Sequence, residues 1–285
     1  MTLPREAAAL IDAALAEDVG AGDFTTLWTV PTDRRAEAYI AMKAIVGVIA
    51  GMEVATEVFR RVDPALEVTA LASDGDEATR GDLLMRIEGS ARAILTAERT
   101  ALNVLQRLSG VATLTHVYVD AVHGTGARVI DTRKTTPGMR LLEKAAVVAG
   151  GGSNHRVGLY DMVMIKDNHI AAAGGIMAAV EAVRIRNDRG LRVEVETSTL
   201  AEVGEALAAR VDRVMFDNMD PATMREAVAL VIANGAPRPE TEASGGITVE
   251  TIRAFAETGV DFISVGALTH SAPALDLSLR LRAAG

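Results

Sequence analysis

The 285-residue sequence has no cysteine, few aromatic residues (3%) and no excess of basic residues. The absence of cysteine excludes disulfide bonds, thiolate zinc sites and a cysteine nucleophile. The formal net charge of −9 argues against a nucleic-acid-binding protein, because such proteins usually carry a strongly basic surface. The hydrophobic fraction of 49% is too high for a disordered chain, so one large α/β domain or two unequal domains are expected.

Long hydrophobic runs are also missing. The longest run of apolar residues, counting glycine, extends over eleven residues from Ile170 to Val180, whereas a membrane-spanning helix needs roughly 20. The first helix-like stretch carries Arg5, Glu6 and Asp12, which the apolar region of a secretory signal does not tolerate. We therefore expect a cytoplasmic protein with no membrane partner.

Two different patterns of hydrophobic residues divide the chain. The N-terminal third alternates helix-like and strand-like segments without a steady period, which favours a layered α/β domain. A long helical pattern then runs from about residue 91 to His123, with a predicted break near Ser109 and Gly110. Beyond it, apolar strands recur and each is followed by a helical pattern, which is typical of parallel strands in an open sheet or a barrel. The six strands are expected at 127–132, 162–165, 192–196, 213–216, 240–244 and 262–265.

Each of these six strands ends in a charged residue or a glycine turn. In a β/α barrel the chemistry gathers at the carboxyl ends of the strands, so these positions are candidate site residues. Alternation along 192–196 places Glu194 and Glu196 on one face, where they need a polar interior or a charged partner. The strand ends are Arg133-Lys134, Lys166-Asp167, Glu196, Asp217-Asn218, Ser244-Gly245-Gly246 and Gly266.

The candidate residues include several basic side chains and two carboxylates. Residues 131–170 hold six Lys and Arg against four Asp and Glu, although the whole chain is acidic. The carboxylates of Glu196 and Asp217 suit Mg²⁺, which is held by few carboxylates together with substrate oxygens. Glycine loops that lead into helices offer free N–H groups to a phosphate. The alternative is structural, with Glu196 and Asp217 paired to Arg133 or Lys166 in a salt-bridge network.

Several segments resemble the quinolinate phosphoribosyltransferase family, also called nicotinate-nucleotide pyrophosphorylase (carboxylating), a type II phosphoribosyltransferase. The resemblance covers nearly the whole chain and is most specific between residues 98 and 170. The segments are Asp18–Thr26, Glu98–Asn103, Leu108–Ala112, Asp131–Gly138, Gly150–Arg156, Ile165–Ile170 and Leu268–Ser271.

The resemblance implies an N-terminal α/β sandwich over residues 1–106 and an incomplete, six- or seven-stranded α/β barrel over 107–271. A C-terminal helix at about 272–285 would return to the first domain. The family works as a homodimer, in which Arg99 would reach the site of the partner chain. The reaction implied is quinolinate plus phosphoribosyl pyrophosphate giving nicotinate mononucleotide, pyrophosphate and CO₂, a step of NAD biosynthesis.

The resemblance also implies a role for each site residue. Lys134, Lys166, Glu196 and Asp217 would be catalytic, with Glu196 and Asp217 holding Mg²⁺ and the ribose hydroxyls. Arg99, Arg133, His155, Arg156 and Lys166 would hold the quinolinate carboxylates, which arginine can bind through two parallel hydrogen bonds. Lys134 would neutralise phosphate or pyrophosphate oxygens. The remaining substrate-binding residues, chiefly those around the 5-phosphate, would be Thr132, Ser244, Gly245, Gly246, Gly266, Ala267, Leu268 and His270.

Two other functions stay open at this point. Lys166 also ends a barrel strand, as the Schiff-base lysine of an aldolase would. A related protein of the ModD type, associated with molybdate uptake, shares the fold but lacks the segment that is intact here at Lys166–His169.

Overall fold

The computed structural model describes residues 4–283, which belong to two compact units. Within the described residues, unit 1 comprises 4–116, 135–151 and 268–283, and unit 2 comprises Val117–Lys134 and Gly152–Ala267. The helices are α1 (Arg5–Val19), α2 (Phe24–Thr29), α3 (Met52–Val62), α4 (Ala91–Ala121), α5 (Arg140–Ala149), α6 (Asp167–Ala173), α7 (Ile176–Arg186), α8 (Leu200–Ala208), α9 (Pro221–Ala233), α10 (Ile252–Ala256) and α11 (Ala267–His270). The strands are β1 (Arg35–Met42), β2 (Val46–Val48), β3 (Glu67–Ala70), β4 (Glu77–Thr79), β5 (Leu83–Ser90), β6 (Arg128–Ile130), β7 (Val163–Ile165), β8 (Val193–Thr197), β9 (Arg213–Asp217), β10 (Glu240–Ser244), β11 (Phe262–Ser264) and β12 (Leu277–Ala283).

Unit 1 is built on a four-stranded antiparallel sheet in the order β12-β1-β5-β3. Along β1 the side chains alternate between buried and partly exposed, because successive residues of a strand point to opposite faces. The buried face carries Ala36, Ala38, Ile40 and Met42. A separate two-stranded sheet pairs β2 with β4. A layered α/β unit, as predicted, therefore forms around one apolar sheet face.

The helix expected over 272–285 is wrong for the described residues: residues 272–276 form no helix or strand, and Leu277–Ala283 form strand β12 against the free edge of β1. Leucines at 277, 279 and 281 alternate with Ser278, Arg280 and Arg282, a period of two that suits a strand rather than a helix. Leu277 is buried and pairs with Met42 of β1. The alternation in the sequence therefore predicts this strand correctly, whereas the helix that the resemblance implied is wrong.

The long helix α4 runs without the break predicted near Ser109 and Gly110. Gly110 is required there by packing, because a Cβ at this position would collide with the backbone oxygen of Pro273. Ser109 is buried, and its hydroxyl accepts a hydrogen bond from the Ala50 N–H (3.0 Å). Ser109 and Gly110 therefore lie where other backbone segments pack closely against α4, and the helix does not end there.

Unit 2 is built on six parallel strands in the order β6-β11-β10-β9-β8-β7. Within the described chain the outer strands β6 and β7 do not pair with each other, so the barrel is incomplete, as predicted. Helices α7, α8 and α9 alternate with the strands, as the hydrophobic pattern indicates. Asp220 caps α9 by accepting the N–H groups of Ala222 and Thr223, with Pro221 in the first turn. Across residues 4–283, no helix combines the length and the apolar character that crossing a bilayer requires.

Candidate active site

The parallel arrangement brings the predicted residues of unit 2 to one edge of its sheet. Glu196, Asp217 and Ser244 lie at the carboxyl ends of the neighbouring strands β8, β9 and β10. Lys166 directly follows β7, and Gly266 follows β11. Thr132, Arg133 and Lys134 follow β6. Predicted residues that belong to unit 1 are Arg99, Leu268 and His270.

His155 and Arg156 reach the same edge by an additional backbone contact. Ser153 forms an isolated parallel bridge with Ile130, the last residue of β6. The buried carboxylate of Asp131 then accepts the N–H of His155 at 2.8 Å. The segment that carries the histidine and the arginine is thereby fixed next to the end of β6.

Two guanidinium groups lie near each other at this edge. The pKa of Arg156 is lowered, first because the side chain is partly buried and second because the positive charge of Arg133 is close. Arg156 donates from Nη1 to the Met162 carbonyl oxygen (3.1 Å), and Nη2 contacts Met164 Sδ at 3.6 Å. Arg133 Nε is buried and makes no hydrogen bond to any of residues 4–283. No carboxylate of the described chain forms an ion pair with either arginine, so the pair is suited to bind an external anion.

A buried cluster of carboxylates surrounds the ring of His155. Nε2 of His155 lies 3.1 Å from Glu194 Oε2 and 3.3 Å from Glu242 Oε2. Both glutamates have no exposed surface, and His155 is 8% exposed. Arg213 closes the cluster by donating from Nη1 to Glu242 Oε2 (3.0 Å) and from Nη2 to Glu240 Oε2 (2.8 Å). The prediction that Glu194 faces a polar interior is confirmed.

Burial by itself would lower the pKa of His155, but the hydrogen bonds and charges of Glu194 and Glu242 outweigh it and raise the pKa to about 9. Burial and the charge of Glu242 raise the pKa of Glu194 to about 7. The pKa of Glu242 is lowered despite its burial, because His155 and Arg213 stabilise its charged form. The N–H of Arg156 meets Nδ1 of His155 at 2.6 Å, a contact that opposes a second proton on the ring. The three elements β8, β9 and β10 therefore hold the imidazole by charge and by geometry.

Lys166 and Glu196 form an ion pair between the ends of β7 and β8. The structural pairing considered for Glu196 is therefore present with Lys166. Asp217 lies on the adjacent strand β9, where its carboxylate accepts a hydrogen bond from Asn218 Nδ2 (2.7 Å). Oxygen donors on two neighbouring strands fit a hard divalent cation, which is bound by one or two carboxylates plus substrate oxygens.

The Ser244-Gly245-Gly246 turn is shaped by a close approach of two strand ends. Gly245 has φ +103°, and a Cβ there would collide with the side-chain amide of Asn218. Asn218 itself has φ +55°, and its N–H donates to the Ser244 carbonyl oxygen at 2.9 Å. The expectation that this loop leads directly into a helix is wrong, because α10 begins only at Ile252. After β11, by contrast, α11 starts at Ala267, directly after Gly266.

Glu242, Arg213 and Asp131 are site residues that we did not single out as functional from the sequence. Strand periodicity gives a signal for Glu242, since it shares a face of β10 with Ser244. The same periodicity sets Arg213 on the face of β9 that carries Asp217. Their importance comes from the strand order, which sets Glu194 of β8 opposite Arg213 of β9 and places Glu242 of β10 two residues beyond Glu240, the residue opposite Arg213. That order cannot be read from the spacing of the residues along the chain.

Comparison with known proteins gives consistent results over both units. Residues 23–109 match the model of the quinolinate phosphoribosyl transferase N-terminal domain, and residues 111–280 match that of the C-terminal domain. The chain is 47% identical over 292 residues to a chloroplastic nicotinate-nucleotide pyrophosphorylase [carboxylating] of Arabidopsis thaliana, covering 96% of this chain and 82% of that protein. A probable nicotinate-nucleotide pyrophosphorylase [carboxylating] of Synechocystis is 45% identical over 267 residues, covering 94% and 90%.

Solved structures agree with these relatives. The crystal structure of NadC from Streptococcus pyogenes superimposes with a TM-score of 0.94 at 41% identity, covering 100% of this chain and 99% of that one. Both family models, the curated relatives and the solved structure thus extend over almost the full length of the sequence. The chain belongs to the quinolinate phosphoribosyltransferase family.

Proposed function

We propose that the protein converts quinolinate and phosphoribosyl pyrophosphate to nicotinate mononucleotide, pyrophosphate and CO₂, a step of de novo NAD biosynthesis. Relatives named for this activity align over more than nine-tenths of the chain. The observation that carries the proposal is the pair of partly buried arginines, Arg133 and Arg156, which form no ion pair within the described chain, while the charges of Glu194 and Asp161 act on Arg156 without contacting it as an ion pair. Quinolinate presents two adjacent carboxylates on a pyridine ring, and an arginine pair of this kind matches such a ligand.

The reaction requires positioning and electrostatic stabilisation more than a nucleophilic side chain. The pyridine nitrogen forms a bond to C1 of the ribose, while the bond from C1 to the pyrophosphate oxygen breaks and its electron pair leaves with pyrophosphate. The glycosylated ring nitrogen is cationic, so it accepts the electron pair that the 2-carboxylate leaves behind as CO₂ departs. A proton then takes the place of the carboxylate at C2. The protein must hold two anionic substrates in contact and stabilise the charges that separate.

We assign the cationic residues to these charges. Arg133 and Arg156 bind the carboxylates, with Lys166 and His155 beside them. Lys134 faces the pyrophosphate that leaves, where a positive charge stabilises the developing negative charge. The Ser244-Gly245-Gly246 and Gly266-Ala267-Leu268 turns, with His270, bind the 5-phosphate, and Thr132 adds a contact to the substrate. The left-handed backbone of Gly245 and Gly246 supports the first of these turns as a phosphate loop.

We further propose that Glu196 and Asp217 hold Mg²⁺ and the ribose hydroxyls. The donor chemistry of the two carboxylates fits this ion. Bound Mg²⁺ would supply positive charge to the pyrophosphate oxygens as they leave. The ion pair with Lys166 holds Glu196 at the mouth of the sheet, so this lysine both places a metal ligand and adds a positive charge.

A homodimer in the cytoplasm completes the proposal. Arg99 lies exposed on α4, in unit 1, as a residue donated to a partner chain would. The Schiff-base alternative is not favoured, because the Lys166 ammonium is ion-paired with Glu196 and the ammonium form does not attack a carbonyl. The ModD-type alternative is disfavoured by the intact Lys166–His169 segment.

The decisive experiment is a reaction of the purified protein with Mg²⁺, phosphoribosyl pyrophosphate and quinolinate. Quinolinate should disappear with equimolar release of CO₂, and nicotinate should be a poor substitute. Untouched quinolinate under these conditions overturns the proposal. Borohydride that trapped a substrate adduct at Lys166 would favour the aldolase instead.

Two variants test the assignment of the cations. Lys134→Ala and Arg156→Ala should lose turnover by at least the roughly 10²–10³-fold that one well-placed electrostatic contact contributes. Arg225→Ala, on the exposed side of α9, is the matched control and should retain full activity. Circular dichroism should show all three variants folded. Loss of fold in the first two would support the structural network instead.

A further inference from the structure

Glu242 is a buried charged group that the proposed chemistry does not use. It lies on β10, two residues before the Ser244 turn, and its side chain has no exposed surface. Burial of a carboxylate is costly unless the charge is compensated, and here Arg213 and His155 both compensate it. A buried carboxylate of this kind either stabilises the fold or holds residues of the active site in position.

The contacts of the His155 ring distinguish these two roles. Glu242 Oε2 and Glu194 Oε2 approach Nε2 from two different strands, at 3.3 Å and 3.1 Å. On the other side of the ring, Nδ1 meets the backbone N–H of Arg156 at 2.6 Å. Nε2 thus lies within ion-pair distance of two carboxylates without forming a hydrogen bond of good geometry, whereas Nδ1 is joined to the residue that is to bind the substrate.

Arg156 depends on this ring for its place. Among the described residues, its guanidinium makes hydrogen-bond contacts to the Met162 carbonyl oxygen and Met164 Sδ, which orient the end of the side chain without fixing where the backbone lies. The backbone is held after Arg156 by the Val157 N–H, which donates to Asp161 (2.6 Å), and before it from the His155 side, through the Nδ1 contact and through the bond from the His155 N–H to Asp131 (2.8 Å). A shift of the ring is therefore passed directly to Arg156.

We propose that Glu242, together with Glu194, is a positioning residue for quinolinate binding: it fixes the imidazole of His155 through Nε2, and the imidazole fixes Arg156. This inference rests on the proposed function. The charged groups that act on the ring are Glu194 from β8 and Glu242 from β10. Arg213 from β9 pairs with Glu242, Asp131 accepts the backbone N–H of His155, and Arg156 meets the ring through its backbone N–H.

The test compares Glu242→Gln with Glu240→Gln. Both substitutions remove one carboxylate that accepts from Arg213, but only the first touches His155. For Glu242→Gln the KM for quinolinate should rise about 10- to 100-fold, the order of loss caused by a small misplacement of a binding group. The KM for phosphoribosyl pyrophosphate should stay within about twofold of wild type, a change too small to count as a loss of affinity. Glu240→Gln should leave both KM values unchanged.

Glu194→Gln serves as the second variant, because Glu194 holds the same Nε2 from another strand and gives a result if Glu242→Gln fails to fold. It should show the same selective rise in the KM for quinolinate. Equal changes in both KM values would overturn positioning in favour of a general structural role. An unchanged KM for quinolinate in a folded variant would overturn it as well.

A charge-conserving variant separates position from charge. If the carboxylate of Glu242 acted only through its charge, Glu242→Asp would keep the wild-type KM for quinolinate. Positioning predicts that the shorter side chain of Glu242→Asp raises this KM as well, and a wild-type KM would refute it. Wild-type protein is assayed first: if it does not consume quinolinate, the proposed function fails, whereas an active wild type with an unaffected variant refutes only the inference.

Discussion

Replacing Arg213 with Met should expose the electrostatic cost of the cluster beneath the active site. The Arg213 side chain is 9% exposed and donates to Glu240 and to the fully buried Glu242. Its guanidinium also lies over the ring of Phe262, 4.1 Å from the centroid. Methionine keeps an unbranched apolar side chain in contact with this ring but removes the charge, so the buried carboxylates lose their permanent counter-charge.

The expected loss of stability follows from the charges that stay buried after the substitution. Removing one partner of a buried ion pair costs about 3–5 kcal/mol, because the other charge stays buried without compensation. The cation–π contact with Phe262 contributes about 0.5–2 kcal/mol. Methionine loses the attraction of the charge for the ring but keeps van der Waals contact with it. We therefore expect a loss of about 4 kcal/mol in the free energy of unfolding. For a chain of this size, that corresponds to a decrease in Tm of about 7 °C.

The loss should depend on pH in a defined direction. Without Arg213, burial and mutual repulsion raise the pKa of Glu242, which is lowered in the wild type, and raise that of Glu194 above its wild-type value of about 7. A carboxyl group whose pKa is higher in the folded than in the unfolded protein binds a proton on folding, so stability falls as pH rises from about 4.5 through the folded pKa. The difference from wild type should therefore be smaller at pH 5.5 than at pH 8.

Thermal unfolding followed by circular dichroism at these two pH values measures both effects, with Glu240→Gln as the control. The Glu240 side chain is 34% exposed, and loss of this rim partner should cost less than about 1 kcal/mol. A decrease in Tm for Arg213→Met no larger than that of the control would refute the reasoning. An equal decrease at pH 5.5 and pH 8 would refute the electrostatic explanation.

Three further substitutions test other parts of the site and the fold. Gly245→Ala should lower the affinity for phosphoribosyl pyrophosphate, measured by calorimetry, because φ at Gly245 is +103° and the new Cβ would collide with Asn218. The control Gly204→Ala adds a Cβ in open space on α8, so it should leave this affinity unchanged and raise Tm. Lys166→Ala should reduce kcat/KM for quinolinate by about 10²–10³-fold while the free energy of unfolding changes by less than about 1 kcal/mol, since the Lys166 side chain is 45% exposed. Thr199→Ala removes the capping box of α8 and should lower the free energy of unfolding by about 1 kcal/mol, measured by chemical denaturation. It should not change kcat, and a changed kcat would show that this helix cap also affects the site.

Much of the site was readable from the sequence, because strand ends and glycine turns are local features. Period-two alternation placed Glu194 and Glu196 on one face of β8, and the structure gives each of them a charged partner. Alternation in residues 277–282 would also have predicted β12, which the family resemblance replaced with a helix. Local patterns of this kind depend only on the geometry of one strand, so a single sequence is enough to read them.

The sequence by itself determined the parallel strands, the cationic and acidic residues at their ends, and the family. Only the tertiary structure decided which of these groups meet. Glu242, Arg213 and His155 are far apart in the sequence and carry no shared motif, yet the order β10-β9-β8 brings them together around one buried ring. The physical reason is that burial forces charges to find partners, and the partners available are set by neighbouring strands and not by neighbouring residues in the chain.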